Sequence, residues 1–219
     1  MRYEAVIYDL DGTLLNTLDD LAAAVNHTMR TFGYAEHSVP AVCRMVGNGM
    51  EKLMRKALPE GVSPERFNEA LAAFKAYYAD HSEDFTCAYD GIEPLLDALA
   101  KAGVKQAIVS NKGDPFVKAL TRRYFGRWIT DAVGEQPAVR RKPHPDSVLK
   151  VMADWGCDPE RTLYVGDSDV DILTAKNAGV DCASVTWGFR PEEELAQAGA
   201  SILIRTPQEL QQLVLAEER

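Results

Sequence analysis

From Gly91 onward the sequence keeps one rhythm, a short apolar run followed by a helical stretch, repeated to the end of the chain. The apolar runs Val104–Ser110, Thr162–Gly166 and Cys182–Thr186, with a weaker one at Ile129–Val133, predict strands. Helices are expected at Ile92–Ala102, Pro115–Tyr124, Asp146–Trp155 and Ile172–Ala178, and a last one opens at Thr206-Pro207-Gln208-Glu209. Strands alternating with helices imply a parallel sheet covered on both faces. Ala5-Val6-Ile7-Tyr8 adds a buried strand that ends at Asp9.

Residues from about 17 to 82 break this rhythm, because they are helical throughout. Leu18, Leu21, Ala22, Val25, Met29 and Phe32 share one face of a helix over Leu18–Phe32, with Thr17 and Asp20 placed as a capping box and Gly33 as the stop. Further helices are expected at Val39–Met45, at Met50–Leu58, and from Ser63-Pro64 through Tyr78. The expected fold class is therefore α/β: a Rossmann-like, doubly wound parallel-sheet core with an inserted all-helical cap. The core takes residues 1–15 and 88–219, and the cap takes 16–87. Leu15-Asn16 and Phe85–Ala88 are the expected hinges.

Acidic residues outnumber basic ones 33 to 24, a net charge of −9. That balance argues against nucleic acid as a partner. No apolar stretch approaches a membrane span, and the N-terminus has no signal-peptide core, so a cytoplasmic protein without a membrane partner is expected. Cys43, Cys87, Cys157 and Cys182 are too dispersed for a CxxC pair and read as buried or half-buried thiols. Nothing in the sequence sets an oligomeric state.

Ligands of an open parallel sheet bind at the carboxyl ends of its strands. Four polar clusters fall there. Asp9-Leu10-Asp11-Gly12-Thr13-Leu14 follows the first strand and, taken alone, is equally an acidic turn. Ser110-Asn111-Lys112 offers a hydroxyl and an amide to a phosphate oxygen, or caps the next helix. Arg140-Arg141-Lys142-Pro143-His144-Pro145 is a basic knot in an acidic chain, or a solvated loop; its prolines hold the backbone extended and aim Lys142. Gly166-Asp167-Ser168-Asp169-Val170-Asp171 is a third acid-rich turn, or a helix cap. Carboxylates gathered from the first and last clusters would repel one another unless a cation sat among them. Oxygen donors favour Mg²⁺ over zinc.

In order and context, these four clusters resemble the motifs of the haloacid dehalogenase superfamily, and the whole chain looks like its phosphoglycolate phosphatase-type members. Arg44-Met45-Val46-Gly47-Asn48-Gly49 is similar to their cap segment. The resemblance implies a Mg²⁺-dependent phosphatase acting on a small phosphorylated metabolite through a phosphoaspartate. Asp9 is then the nucleophile and Asp11 the general acid and base. Lys142 is the balancing charge, and Ser110, Asn111 and Lys142 bind the phosphoryl group. The implied metal set is Asp9, Asp167 and the backbone carbonyl of Asp11, with Asp171 a ligand or its orienter. Arg44, Gly47, Asn48 and Gly49 are the implied selectors of substrate, Arg44 through a carboxylate. A phosphosugar mutase and a pyrophosphatase share the implied fold. A non-catalytic phosphate-binding regulatory module is the alternative from another class, although a receiver-type module is shorter, uncapped and without an acid placed like Asp11.

Overall fold

The computed structural model describes residues 1–137 and 139–217. The expected core range includes residues 138, 218 and 219, which lie outside the described residues. The chain divides into one unit formed by Met1–Leu14 with Ala88–Arg219 and a second formed by Leu15–Cys87.

The first unit is built on a six-stranded sheet. Its strands are β1 (Ala5–Tyr8), β4 (Lys105–Gly113), β5 (Asp131–Glu135), β6 (Thr162–Gly166), β7 (Asp181–Val185) and β8 (Ile202–Ile204), in the spatial order β5-β4-β1-β6-β7-β8. Every neighbouring pair is parallel. β1 and β6 are buried at every position, as strands covered on both faces must be. Ile7, Ala107, Val109 and Tyr164 pack against Val148, Val151 and Met152 of α7 (Asp146–Trp155) and Ala175 and Ala178 of α8 (Asp169–Ala178). The order in which strands are added reverses at β1: β4 and β5 extend the sheet on one side, and β6, β7 and β8 on the other. The carboxyl ends of β4, β1 and β6 therefore lie together at the switch point where such sheets bind ligands.

The second unit holds α1 (Leu18–Phe32), α2 (Val39–Met45), α3 (Gly49–Ala57) and α4 (Pro64–His81). Leu21, Ala22, Val25 and Met29 of α1 are buried, as are Phe67, Ala70, Phe74 and Tyr78 of α4. Ser38 and Ser63 cap α2 and α4 by accepting the backbone N–H of Ala41 and Arg66. Thr17 makes no side-chain cap. Its expected partner Asp20 is 1% exposed and accepts from the N–H groups of Phe85 (3.0 Å) and Thr86 (2.8 Å) and from Thr86 Oγ1 (2.7 Å). A buried carboxylate needs several donors, and the returning chain supplies three where a local box supplies one. Phe85 and Thr86, within the expected hinge, are thereby fastened to α1. The short strands β2 (Leu15–Asn16) and β3 (Cys87–Ala88) pair where the chain enters and leaves the insertion.

Five elements go beyond the expectation: β2, β3, a 3-10 turn at Pro159–Arg161, α9 (Glu192–Gln197) and β8. β5 begins two residues after the expected run. The remaining helices are α5 (Ile92–Lys101), α6 (Asp114–Leu120), continued by a π turn over Thr121–Phe125, and α10 (Pro207–Leu215). Thr206 caps α10, but Glu209 turns to the N–H of Arg205 rather than closing the box. The four cysteines are free, and Cys87 is exposed because it sits on short β3. Among the described residues no helix is long and apolar enough to cross a membrane.

Candidate active site

Asp9 leaves β1 with its N–H bonded to Val165 O at 2.8 Å, so the central ladder itself fixes its backbone. Its Oδ1 accepts from Leu10 N–H at 2.7 Å, and its Oδ2 lies 3.0 Å from Lys142 Nζ. Lys142 is 4% exposed and directs its ammonium at three acceptors: Asp9, Asp171 Oδ1 (2.8 Å) and the Tyr164 hydroxyl (3.0 Å). Burial on its own lowers a lysine pKa, but Asp171 and Asp9 outweigh it and hold this ammonium charged well above its ordinary range. The Lys142–Pro143 peptide is cis, where an extended approach was expected.

Asp171 is 1% exposed and fully engaged. Its Oδ1 takes Lys142 and Tyr164 OH (3.2 Å), and its Oδ2 takes Ser168 N–H (3.1 Å) and Ser168 Oγ (2.6 Å). The helix-cap reading of that acidic turn is therefore also true, since Asp171 ties the start of α8 while it aims Lys142. Asp167 is 2% exposed and accepts from Phe189 N–H at 2.7 Å and from Thr13 Oγ1 at 3.4 Å.

Asp9, Asp167 and Asp171 each place an oxygen within 4.8 Å of the others. Burial pushes the Asp9 carboxyl up to about 6; Lys142 opposes the shift, and Asp171 and Asp11 add to it. Burial and the charges of Asp171 and Asp9 push Asp167 well above the usual carboxylate range. Lys142 answers Asp9 and Asp171 but touches no oxygen of Asp167 among the contacts above. An all-oxygen cluster short of positive charge fits a hard divalent cation such as Mg²⁺. Among the contacts above, Asp171 already takes four partners, whereas Asp9 and Asp167 take two each.

Ser110 (6% exposed) lies in the carboxyl-terminal half of β4, where its Oγ accepts from Lys112 N–H at 3.3 Å. Asn111 of β4 donates from Nδ2 to Lys142 O at 3.1 Å, which ties that strand to the loop carrying Lys142. Asp11 meets a residue whose role the sequence did not suggest: Lys112 Nζ lies 2.9 and 3.2 Å from its two carboxylate oxygens. Lys112 stands two residues after Ser110 on a strand, so strand alternation was the available signal. Trp187-Gly188-Phe189, just beyond β7, was also missed. Trp187 Nε1 donates to Thr13 O (3.0 Å), and Phe189 N–H holds Asp167. The carboxyl-end rule that located the other clusters would have found this loop had it been applied to β7.

Two glycines make room for the carboxylates. Gly12 has φ +82°, and a Cβ there would overlap the Asp167 carboxylate. A Cβ on Gly188 would overlap Asp167 and the Gly12 carbonyl. Arg44, Gly47, Asn48 and Gly49 belong to the helical unit. Arg44 is exposed in the last turn of α2 and makes no ion pair among the described residues. Gly47 and Gly49 take φ of 117° and 81° on either side of Asn48.

The sequence pattern of the haloacid dehalogenase-like hydrolases matches residues 6–185. Phosphoglycolate phosphatase 1 of Pseudomonas aeruginosa is 38% identical over 209 residues, covering 91% of this chain and 75% of its own. The phosphoglycolate phosphatase of Pseudomonas putida is 36% identical over 208 residues with the same coverage. The crystal structure of a provisionally named phosphoglycolate phosphatase from Lactobacillus delbrueckii subsp. bulgaricus superposes with a TM-score of 0.94 at 33% identity, over 99% of this chain and 100% of that one. The chain belongs to the haloacid dehalogenase-like hydrolase family.

Proposed function

We propose that this hydrolase cleaves a small phosphate monoester, phosphoglycolate being the first to test, through a phosphoaspartate on Asp9. The observation that carries the reading is the buried Asp9–Lys142 pair, with a second, separately held carboxylate two residues on at Asp11. One oxygen of Asp9 attacks phosphorus and the ester P–O bond breaks, with Asp11 handing its proton to the departing oxygen. Water then attacks the phosphoaspartate, Asp11 takes the proton, and phosphate leaves with Asp9 restored. Lys142 and the Ser110 hydroxyl balance charge on the phosphoryl oxygens, the main demand of such a transfer. Asp9, Asp167 and the backbone carbonyl of Asp11 would hold Mg²⁺, with Asp171 orienting Lys142 rather than binding the ion. Bound there, Mg²⁺ supplies positive charge to the phosphoryl oxygens and lowers the repulsion between nucleophile and substrate.

Chelation tests this directly. EDTA abolishes release of 4-nitrophenol from 4-nitrophenyl phosphate, Mg²⁺ restores it, and Ca²⁺ restores it poorly because its looser coordination disturbs in-line attack. Full turnover after exhaustive chelation overturns the metal assignment. A stability readout accompanies it. Carboxyls whose pKa is raised in the folded protein cost stability as pH climbs, here from 3.8 through about 6 for Asp9. Above that window Mg²⁺ raises the melting temperature of the metal-free protein, whereas Asp167→Asn raises it without metal and cancels the Mg²⁺ effect.

The helical insertion is proposed to act as the cap, with Gly47, Asn48 and Gly49 approaching a small substrate and Arg44 pairing with a substrate carboxylate. Arg44→Ala then lowers kcat/KM for phosphoglycolate by about 30-fold or more, the cost of about 2–5 kcal/mol for a half-made charge pair, and spares 4-nitrophenyl phosphate. Equal losses on both would assign Arg44 to the insertion's own structure.

A further inference from the structure

Lys112 is 5% exposed, yet it is cationic and stands at the carboxyl end of a central strand. Such a side chain is retained only where its charge is answered. Here Asp11 answers it with both oxygens, at 2.9 and 3.2 Å. The base of the lysine is itself held firmly. Its N–H is bonded to Ser110 Oγ, and Gly134 of β5 passes so close that a Cβ there would lie 2.6 Å from Lys112 O. The pairing of β4 with β5 shifts register between Val109 and Gly113, and every β4 residue from Gln106 to Lys112 stays buried. Asp11 is the opposite case: it sits on a turn with 15% of its side chain exposed. The strand-anchored ammonium holds both oxygens of that carboxylate at once. The two lysines divide the work, since Lys142 holds the nucleophile Asp9 while Lys112 holds the carboxylate two residues on.

We propose that Lys112 is a positioning residue that sets the orientation from which Asp11 delivers a proton to the leaving oxygen. The proposal rests on the phosphatase reading and on the role of Asp11 within it. Misplacing a reacting group by about 1 Å costs about 10²-fold, and only a leaving group that needs the proton registers the loss. Ethyl phosphate has such a leaving group; 4-nitrophenyl phosphate releases a stable anion without help. Neither leaving group is charged before cleavage.

The test compares kcat/KM, which covers steps through P–O cleavage, for both substrates and for phosphoglycolate with Mg²⁺ present. Lys112→Met keeps the stem and removes the charge. It is expected to lower kcat/KM for ethyl phosphate and phosphoglycolate by about 10²-fold, with a much smaller loss on 4-nitrophenyl phosphate. Lys112→Arg, which keeps a donor, recovers part of the loss. In an Asp11→Asn background Lys112→Met adds nothing, because its route of action is gone. Thermal melts confirm folding, and Lys112→Gln serves the same comparison if the methionine variant does not fold. Equal losses on all three substrates, persisting in the Asp11→Asn background, overturn the proposal in favour of strand support. A loss confined to phosphoglycolate overturns it in favour of direct recognition of a carboxylate. A wild-type protein that hydrolyses none of the three removes the phosphatase reading itself, a result distinct from either.

Discussion

Asp9→Asn is expected to stop turnover by several orders of magnitude while the protein stays folded. The substitution removes the attacking charge and leaves an oxygen to accept from Leu10 N–H, as Oδ1 now does. The attraction between Asp9 and Lys142 is lost, but so are the cost of burying the Asp9 charge and the repulsion that Asp171 and Asp11 exert on it, which together outweigh that attraction. Above the pH window in which Asp9 ionises, the metal-free variant therefore melts at or above the wild-type temperature. Asp11→Asn also cripples turnover, by about 10²–10⁴-fold, the usual contribution of a placed acid or base, which on 4-nitrophenyl phosphate is its role as the base that activates water. Release of 4-nitrophenol and of inorganic phosphate reads the rates, and mass spectrometry excludes deamidation of the introduced asparagine back to aspartate. Near-normal turnover in verified Asp9→Asn would refute the phosphoaspartate. In the wild type, acid quenching during turnover traps a phosphoryl group on the peptide that carries Asp9.

Lys142→Ala has the second-largest expected effect, and it appears twice. Removing one partner of a buried charge cluster costs about 3–5 kcal/mol of stability, here because Asp9 and Asp171 are left facing each other at 14% and 1% side-chain exposure. In catalysis the same ammonium balances charge that grows as the phosphoryl group transfers, so kcat falls by about 10²–10³-fold or more and KM much less. Denaturant unfolding and steady-state kinetics on one preparation read both. A change in KM alone would make Lys142 a docking residue. The pH dependence carries a sign of its own. A lysine with a raised folded pKa stabilises fully below 10.5 and loses that contribution as pH rises through its folded value. The alkaline side of the wild-type stability profile is therefore the side that Lys142→Ala flattens.

Strands buried on both faces are continuous apolar runs, which is why β1 and β6 were legible from Ala5–Tyr8 and Thr162–Gly166 alone, and with them the α/β class. β5 and β8 lie at the two edges and are only partly buried; the apolar run of β5 is broken, and that of β8 is only the three residues Ile202–Ile204. Their extents waited for the sheet. The amphipathic faces of α1 and α4 were visible because helical periodicity is local; the fate of Asp20 was not, because its donors come from Phe85 and Thr86, across the whole insertion.

The candidate site divides in the same way. Each polar cluster was visible as residue types following an apolar run, and each by itself had an ordinary reading as a turn or a cap. The sequence by itself determined the sheet-and-insertion class, the four clusters and their order along the chain. Only the tertiary structure decided which carboxylate faces which lysine. Lys112 is separated from Asp11 by 101 residues, and Lys142 from Asp171 by 29. Neither pairing follows from a local pattern; both follow from parallel register, which sets β4 and β6 on either side of β1 and brings their carboxyl ends to one place. The physical reason is that periodicity reports only which face a residue takes on its own element, whereas a charge pair depends on two elements meeting, and burial then makes that meeting strong.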